Sequence, residues 1–191
     1  MTLLGIVLLL FSVLAGCGTG LARPLTSGEI FLSKSVFGSA IDYSKPSVFN
    51  RSWVVQKKRT AVTSNGNIYL RGDGTSAGLY RKDFSEDSNT YLRALFIHEM
   101  AHVWQHQSGA WVKTRRVFNG RYDYDFSELG TRDFKSYGLE QQASIIEHFY
   151  ILRCGKLIRD KTYRPVENSP TIEMYRKVLS PYFLQTHNET L

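Results

Sequence analysis

Five consecutive residues, His98-Glu99-Met100-Ala101-His102, place two imidazoles and one carboxylate in the spacing H-E-x-x-H. On an α-helix, positions four apart sit about 40° from each other around the axis, so His98 and His102 face the same way and are able to hold one ion together. Zinc accepts such nitrogen donors in a tetrahedral site. Glu99 lies beside them and is not itself a ligand. Its expected role is to take a proton from water activated at the ion, which yields a hydroxide-like nucleophile at neutral pH.

Two histidines leave a catalytic zinc short of a third protein ligand, while the fourth position stays open for water. Glu140, 38 positions after His102 and in the first turn of a second expected helix over residues 137–152, is the candidate. Ala143 follows three residues later on nearly the same face, small enough to let two helices approach closely near the ion. Glu147 and His148 are the rivals. An acid in a first helical turn is also favoured by the macrodipole without any metal. Gln105 shares a face with His98 and His102 and could orient a ligand from behind. His106 is a turn too far along to join the same ion.

These residues must be positioned by helices, and the periodicity supplies them. The motif falls in an expected amphipathic helix over residues 88–107, capped by Ser88 or Asn89, with Leu92, Leu95, Phe96 and Val103 on the stripe and Gly109 at its end. Thr26 and Glu29 match a capping box ahead of an apolar run that Gly38 should stop. Short extended segments are expected at residues 41–43, 48–49 and 52–55. Ala61-Val62-Thr63 and Ile68-Tyr69-Leu70 flank Asn65-Gly66, a strong hairpin signal. Ile68 to Leu70 is a candidate docking edge for an extended substrate, although a plain structural hairpin fits equally. The glycine-rich stretch at 71–78 has no phosphate-loop lysine and reads as a loop. Residues 110–136 are irregular and aromatic, with Trp111, Phe118, Tyr122, Tyr124, Phe126 and Phe134, as expected of a cleft wall that could lend a tyrosine to an oxyanion. A last helix is expected near 171–179. The pattern predicts an α+β fold: a helical core of the motif helix and the third-ligand helix, with a small antiparallel sheet or hairpin.

At 191 residues, 42% apolar, the chain is long enough for one core, and residues 26–185 are expected to form a single domain with a frayed tail at 186–191. The net charge of +7 favours anionic neighbours. Lys57-Lys58-Arg59 and Arg115-Arg116 are short clusters without a nucleic-acid motif, so no nucleic-acid partner is expected. Residues 3–15 are almost wholly apolar yet too short to span a bilayer, which needs about 20 residues. They read as a secretion signal. The stretch ends in Leu14-Ala15-Gly16-Cys17, similar to a bacterial lipobox, so residues 1–16 are expected to be removed and Cys17 to carry the lipid. Residues 17–25 would be a tether, and Met1-Thr2 departs from the pattern by lacking a basic n-region. With Cys17 acylated, Cys154 has no partner for a disulfide.

Four longer strings carry a resemblance to a known family: GEIFLSKSVFGSAIDYS from Gly28, LFIHEMAHVWQHQSG from Leu95, RYDYDF from Arg121 and YGLEQQASIIEHF from Tyr137. Together they resemble the glutamate-zincin class of metallopeptidases, and more narrowly the small H-E-x-x-H proteins found with bacterial Rhs and Vgr secretion genes. The resemblance implies that His98, His102 and Glu140 bind zinc, that Glu99 is the base, and that a secretion-system component is a partner. The expected function is a zinc-dependent hydrolase of peptide or amide bonds, lipid-anchored in the bacterial envelope and facing the periplasm, with a protein or peptide substrate. The alternative is a non-catalytic, zinc-stabilised envelope lipoprotein that binds or protects a secretion or envelope component.

Overall fold

The computed structural model of the chain describes residues 22–51, 61–70, 78–110, 126–159 and 164–183. Helix α1 (Ser27–Phe37) starts as its capping box predicts, with Thr26 Oγ1 accepting from Glu29 N–H and the Glu29 carboxylate accepting from Thr26 N–H, both at 3.0 Å. Such a cap is worth about 1 kcal/mol. The Glu29 carboxylate is fully buried, and it also takes both ends of the Arg23 guanidinium at 2.7 Å and the Phe84 N–H at 3.1 Å. These donors offset the cost of burying a charge, and through Arg23 and Phe84 they tie two other chain segments to the start of α1.

Four short strands form one mixed sheet in the order β1-β2-β4-β3, from β1 (Ala22–Pro24), β2 (Ser47–Phe49), β3 (Ala61–Ser64) and β4 (Asn67–Leu70). β1 runs antiparallel to β2, β2 parallel to β4, and β3 antiparallel to β4. The sheet is therefore mixed, where an antiparallel one was expected. The Asn65-Gly66 turn has positive φ at both residues, +50° and +73°, as a tight hairpin of this hand requires. A Cβ on Gly66 would also come within 2.7 Å of the His106 ring, so the turn and the end of the motif helix fix each other.

Three expectations are corrected here. Residues 22–24, placed in the tether on composition, are a paired strand, because Arg23 is drawn inward by Glu29. Ile68 to Leu70 is not an edge: β4 has β2 on one side and β3 on the other, so among the described strands β3 is the edge beside the motif helix. The segment at 41–43 is a turn, closed by Asp42 and Ser44, and the extended backbone begins at Ser47.

The motif helix, α2 (Thr90–Gln107), is capped by Asn89, whose side chain accepts from Tyr91 N–H at 3.0 Å, and the chain leaves it through Gly109 at φ +77°. It is not amphipathic as expected. Every residue from Phe96 through Gln105 is buried, while Leu92 and Leu95 of the anticipated stripe are only partly so. A helix enclosed on all sides is a central one, and α2 has the sheet on one flank and α3 (Leu139–Arg153) on the other. Ala94, Ala101 and Ala143 are fully buried, consistent with close packing of small residues. Helix α4 (Ile172–Leu179) packs on α3. Phe134, expected in a cleft wall, is buried in an aromatic cluster, its ring 6.1 Å from Trp104 and 5.9 Å from Phe183. The expected processing site at Cys17, the glycine-rich loop at 71–77, the basic clusters, the segment at 52–55, the tail at 186–191 and Trp111, Phe118, Tyr122 and Tyr124 lie outside the described residues. Among those described, no helix is long and apolar enough to cross a membrane.

Candidate metal centre

α2 carries His98 and His102 on one side, and the first turn of α3 brings Glu140 to meet them. Glu140 Oε2 is 3.4 Å from His98 Nε2 and 3.2 Å from His102 Nε2, and the three ligand atoms lie within 4.8 Å of one another. Donors placed around a tetrahedral zinc at bond lengths of about 2.0–2.2 Å sit about 3.3–3.5 Å apart. The two spacings from Glu140 thus match such an ion, and the two imidazoles and one carboxylate are the donor types it takes. No other group of three such residues converges among the described residues. Both imidazoles are buried, whereas the Glu140 side chain is about a third exposed, so the gap opens on the Glu140 side.

The outer nitrogens decide which ring atom is available. Gln105 Nε2 donates to the Leu139 carbonyl at 2.8 Å, and a carbonyl only accepts, so this bond fixes the amide with Oε1 toward His102. His102 Nδ1, 2.8 Å from that oxygen, must then carry the proton, which leaves the Nε2 lone pair facing Glu140 and the gap. Gln142 repeats the device one layer out: its Nε2 donates to the Tyr137 carbonyl at 2.8 Å and its Oε1 accepts from Gln105 Nε2 at 3.1 Å. Two amides in series therefore tie His102 to the start of α3, the turn that presents Glu140. On the other ring, His98 Nδ1 donates to Glu147 Oε2 at 2.9 Å. Carboxylate or carbonyl partners of this kind fix the tautomer and raise the basicity of a ligating histidine.

The charges around His98 are unusually concentrated. Burial alone would depress its pKa, but hydrogen bonds to Glu140 and Glu147 outweigh it, and the value is pushed up to about 10. Burial would raise Glu140, yet the hydrogen bonds from His102 and His98 hold it well below the usual carboxylate range. Glu147 is held down by His98 in the same way, against its own burial.

All four expected site residues of this centre are brought together: His98, His102 and Glu140 around the gap, and Glu99 in the turn between the histidines, 4% exposed. Gln105 does what its helical spacing suggests. Glu147, a rival ligand in the sequence, instead meets the far nitrogen of His98, and His148 is turned to Tyr175, 3.4 Å from its hydroxyl. Gln142 and Thr63 went unrecognised. Gln142 shows itself as an amide at an inward position of a helix start, and Thr63 as a polar residue that the hairpin register places opposite the fully buried Ile68.

No protein-family model matches the chain. It is similar to the type VI secretion system spike protein VgrG2b of Pseudomonas aeruginosa, 34% identical over 148 residues. That match takes in 73% of this chain and only 14% of the spike protein. The solved effector domain of the same P. aeruginosa protein superposes with a TM-score of 0.57 at 33% identity, over 74% of this chain and 80% of that domain. On this likeness, which spans most of both chains, the protein belongs to the family of the VgrG2b effector domain and is thereby linked to the Vgr-related proteins of type VI secretion.

Proposed function

We propose that the protein is a zinc-dependent hydrolase of peptide or amide bonds that works in the bacterial envelope in connection with a secretion system. The observation that carries this reading is the convergence of His98, His102 and Glu140, their ligand atoms within 4.8 Å of one another, with Glu99 next to the first histidine. Zinc, when bound, supplies Lewis acidity toward the scissile carbonyl and the attacking water. His98 and His102 would hold it through Nε2, and Glu140 would contribute its carboxylate. Glu99 takes the proton from the attacking water and returns it to the leaving amine. The Glu147 contact supports a site with an open position, because that carboxylate is occupied at the outer nitrogen of His98. Among the described strands β3 is the edge beside α2, and it is the edge we assign to an extended substrate backbone. Anchoring belongs to the same proposal: Cys17 carries the lipid and holds the domain at a membrane surface facing the periplasm. Mass spectrometry of membrane-extracted protein should find a diacylated Cys17, and an unmodified cysteine there would remove the anchor from the account.

Glu99→Gln tests the chemistry. It should keep one zinc per chain while hydrolysis of an unfolded protein substrate falls by about 100-fold or more, as loss of a general base predicts. Undiminished turnover in the variant would refute the mechanism.

A further inference from the structure

Thr63 has no part in metal binding, yet it touches both ends of Glu99. It sits on β3, in register with Ile68, and its side chain is turned inward and buried. Its Oγ1 lies 2.6 Å from Glu99 Oε2 and 3.2 Å from the Glu99 backbone carbonyl. A hydroxyl has one proton to give. The shorter contact has the length of an O–H···O⁻ bond, so that proton goes to the carboxylate. At 4% exposure Glu99 has little water to solvate it, and Thr63 supplies the donor.

We propose that Thr63 is the positioning residue of the general base, an inference that rests on the hydrolase reading. With Oε2 held by Thr63, the carboxylate cannot swing about its last bonds, and Oε1 is left as the oxygen that meets the attacking water. Thr63 stands on β3 and Glu99 on α2, so this one bond also ties the position of the strand to that of the base. Because β3 is the edge strand assigned to the substrate, one side chain sets the distance between the docked backbone and the group that activates water. Misplacing a reacting group by about 1 Å can cost about 100-fold in rate, which is the scale at which such a contact matters.

The test uses Thr63→Val, which keeps the shape and removes the donor, and Thr63→Ser, which keeps the donor and removes a methyl. In the zinc-loaded full chain, Thr63→Val should lower kcat about 10- to 100-fold with KM within about twofold and zinc content unchanged, and Thr63→Ser should stay within a few-fold of the parent. In metal-free protein, a double-mutant cycle of Thr63→Val with Glu99→Leu, read by denaturant unfolding, should show a coupling of about tenfold or more in the unfolding equilibrium constant. If Thr63→Val unfolds, restoration of both kcat and stability by Thr63→Ser decides the matter. An active parent with an unchanged kcat in Thr63→Val, equal losses in both variants, or a cycle that sums to zero would each overturn the assignment to Thr63 while leaving the hydrolase reading in place. A zinc-loaded parent that hydrolyses nothing would instead overturn that reading, and the positioning role with it.

Discussion

The two histidines of α2 face the gap with the same nitrogen but are backed by opposite chemistry. His98 leans on a carboxylate, Glu147, and shares a second one, Glu140, with its neighbour. His102 leans on a neutral amide, Gln105, which is itself anchored through Gln142 and two backbone carbonyls. One side of the centre is thus held by charge and the other by a hydrogen-bond chain that also pins the start of α3. The difference separates two jobs that a ligand's outer contacts can do. Glu147 supplies negative charge, whereas Gln105 aligns one helix with the other.

Exchanging the two acceptors breaks the comparison most sharply. Gln105→Glu replaces a donor by an acceptor, so the Leu139 carbonyl and Gln142 Oε1 lose their partner and face a carboxylate instead. Each buried group left unsatisfied costs about 1–3 kcal/mol. We expect the variant to lose several degrees or more of Tm even without metal, and to bind zinc weakly because the turn holding Glu140 is loosened. Glu147→Gln retains an acceptor for His98 and only removes charge. It weakens one of the two contacts that hold the protonated ring, so it should lower the Tm of metal-free protein by less than Gln105→Glu does, and weaken zinc binding by about 10-fold, the lower end of what loss of an outer partner does. A Tm loss equal in the two variants, by thermal unfolding with chelator present, would show that the two sides do not differ as described.

The charged side also makes a pH prediction of smaller size. His98 has its folded pKa raised, from an unfolded value of about 6.5 to about 10, so the stability it contributes is complete below pH 6.5 and is lost as pH rises toward 10. Glu140 is shifted the other way, so its contribution is present above about pH 4.5 and is lost as pH falls through its depressed folded value. Metal-free protein should therefore gain most from this cluster near pH 5–6.5. Zinc needs the neutral imidazole, so its binding should strengthen across the same rise, from pH 6.5 to 10, over which the metal-free cluster weakens. Calorimetry at pH 7.5 in buffers of different ionisation enthalpy should find about one proton released per zinc.

Much of the centre was legible because it depends on spacing within single helices. His98, Glu99, His102 and Gln105 lie on one helix, whose 3.6-residue period is enough to assign their sides, and Glu140 stands in a first turn where an acid is conspicuous. Glu140 and Glu147 are seven apart and share a face of α3, so periodicity alone makes both of them possible ligands. Which nitrogen of His98 each one meets depends on how α3 crosses α2, and spacing along one chain carries no record of that. The sheet shows the same division. The hairpin and its turn were readable locally, whereas the parallel pairing of β2 with β4 joins residues 20 apart, such as Val48 and Ile68, and it turns the expected edge strand into an inner one. Thr63 was missed for want of that second step: its polar side chain on an inward position becomes meaningful only once α2 is known to lie beneath it.

The central claim is a single zinc site closed on one side by α2, on the other by α3, with one position open. An anomalous-scattering map at the zinc edge, from crystals of the zinc-loaded full chain, tests it directly. The account predicts one zinc peak bonded to Nε2 of His98, Nε2 of His102 and a carboxylate oxygen of Glu140, with solvent in the remaining position and Glu147 still on the outer nitrogen of His98. A peak whose fourth ligand is Glu147 or His148, or no peak between these helices, would contradict it.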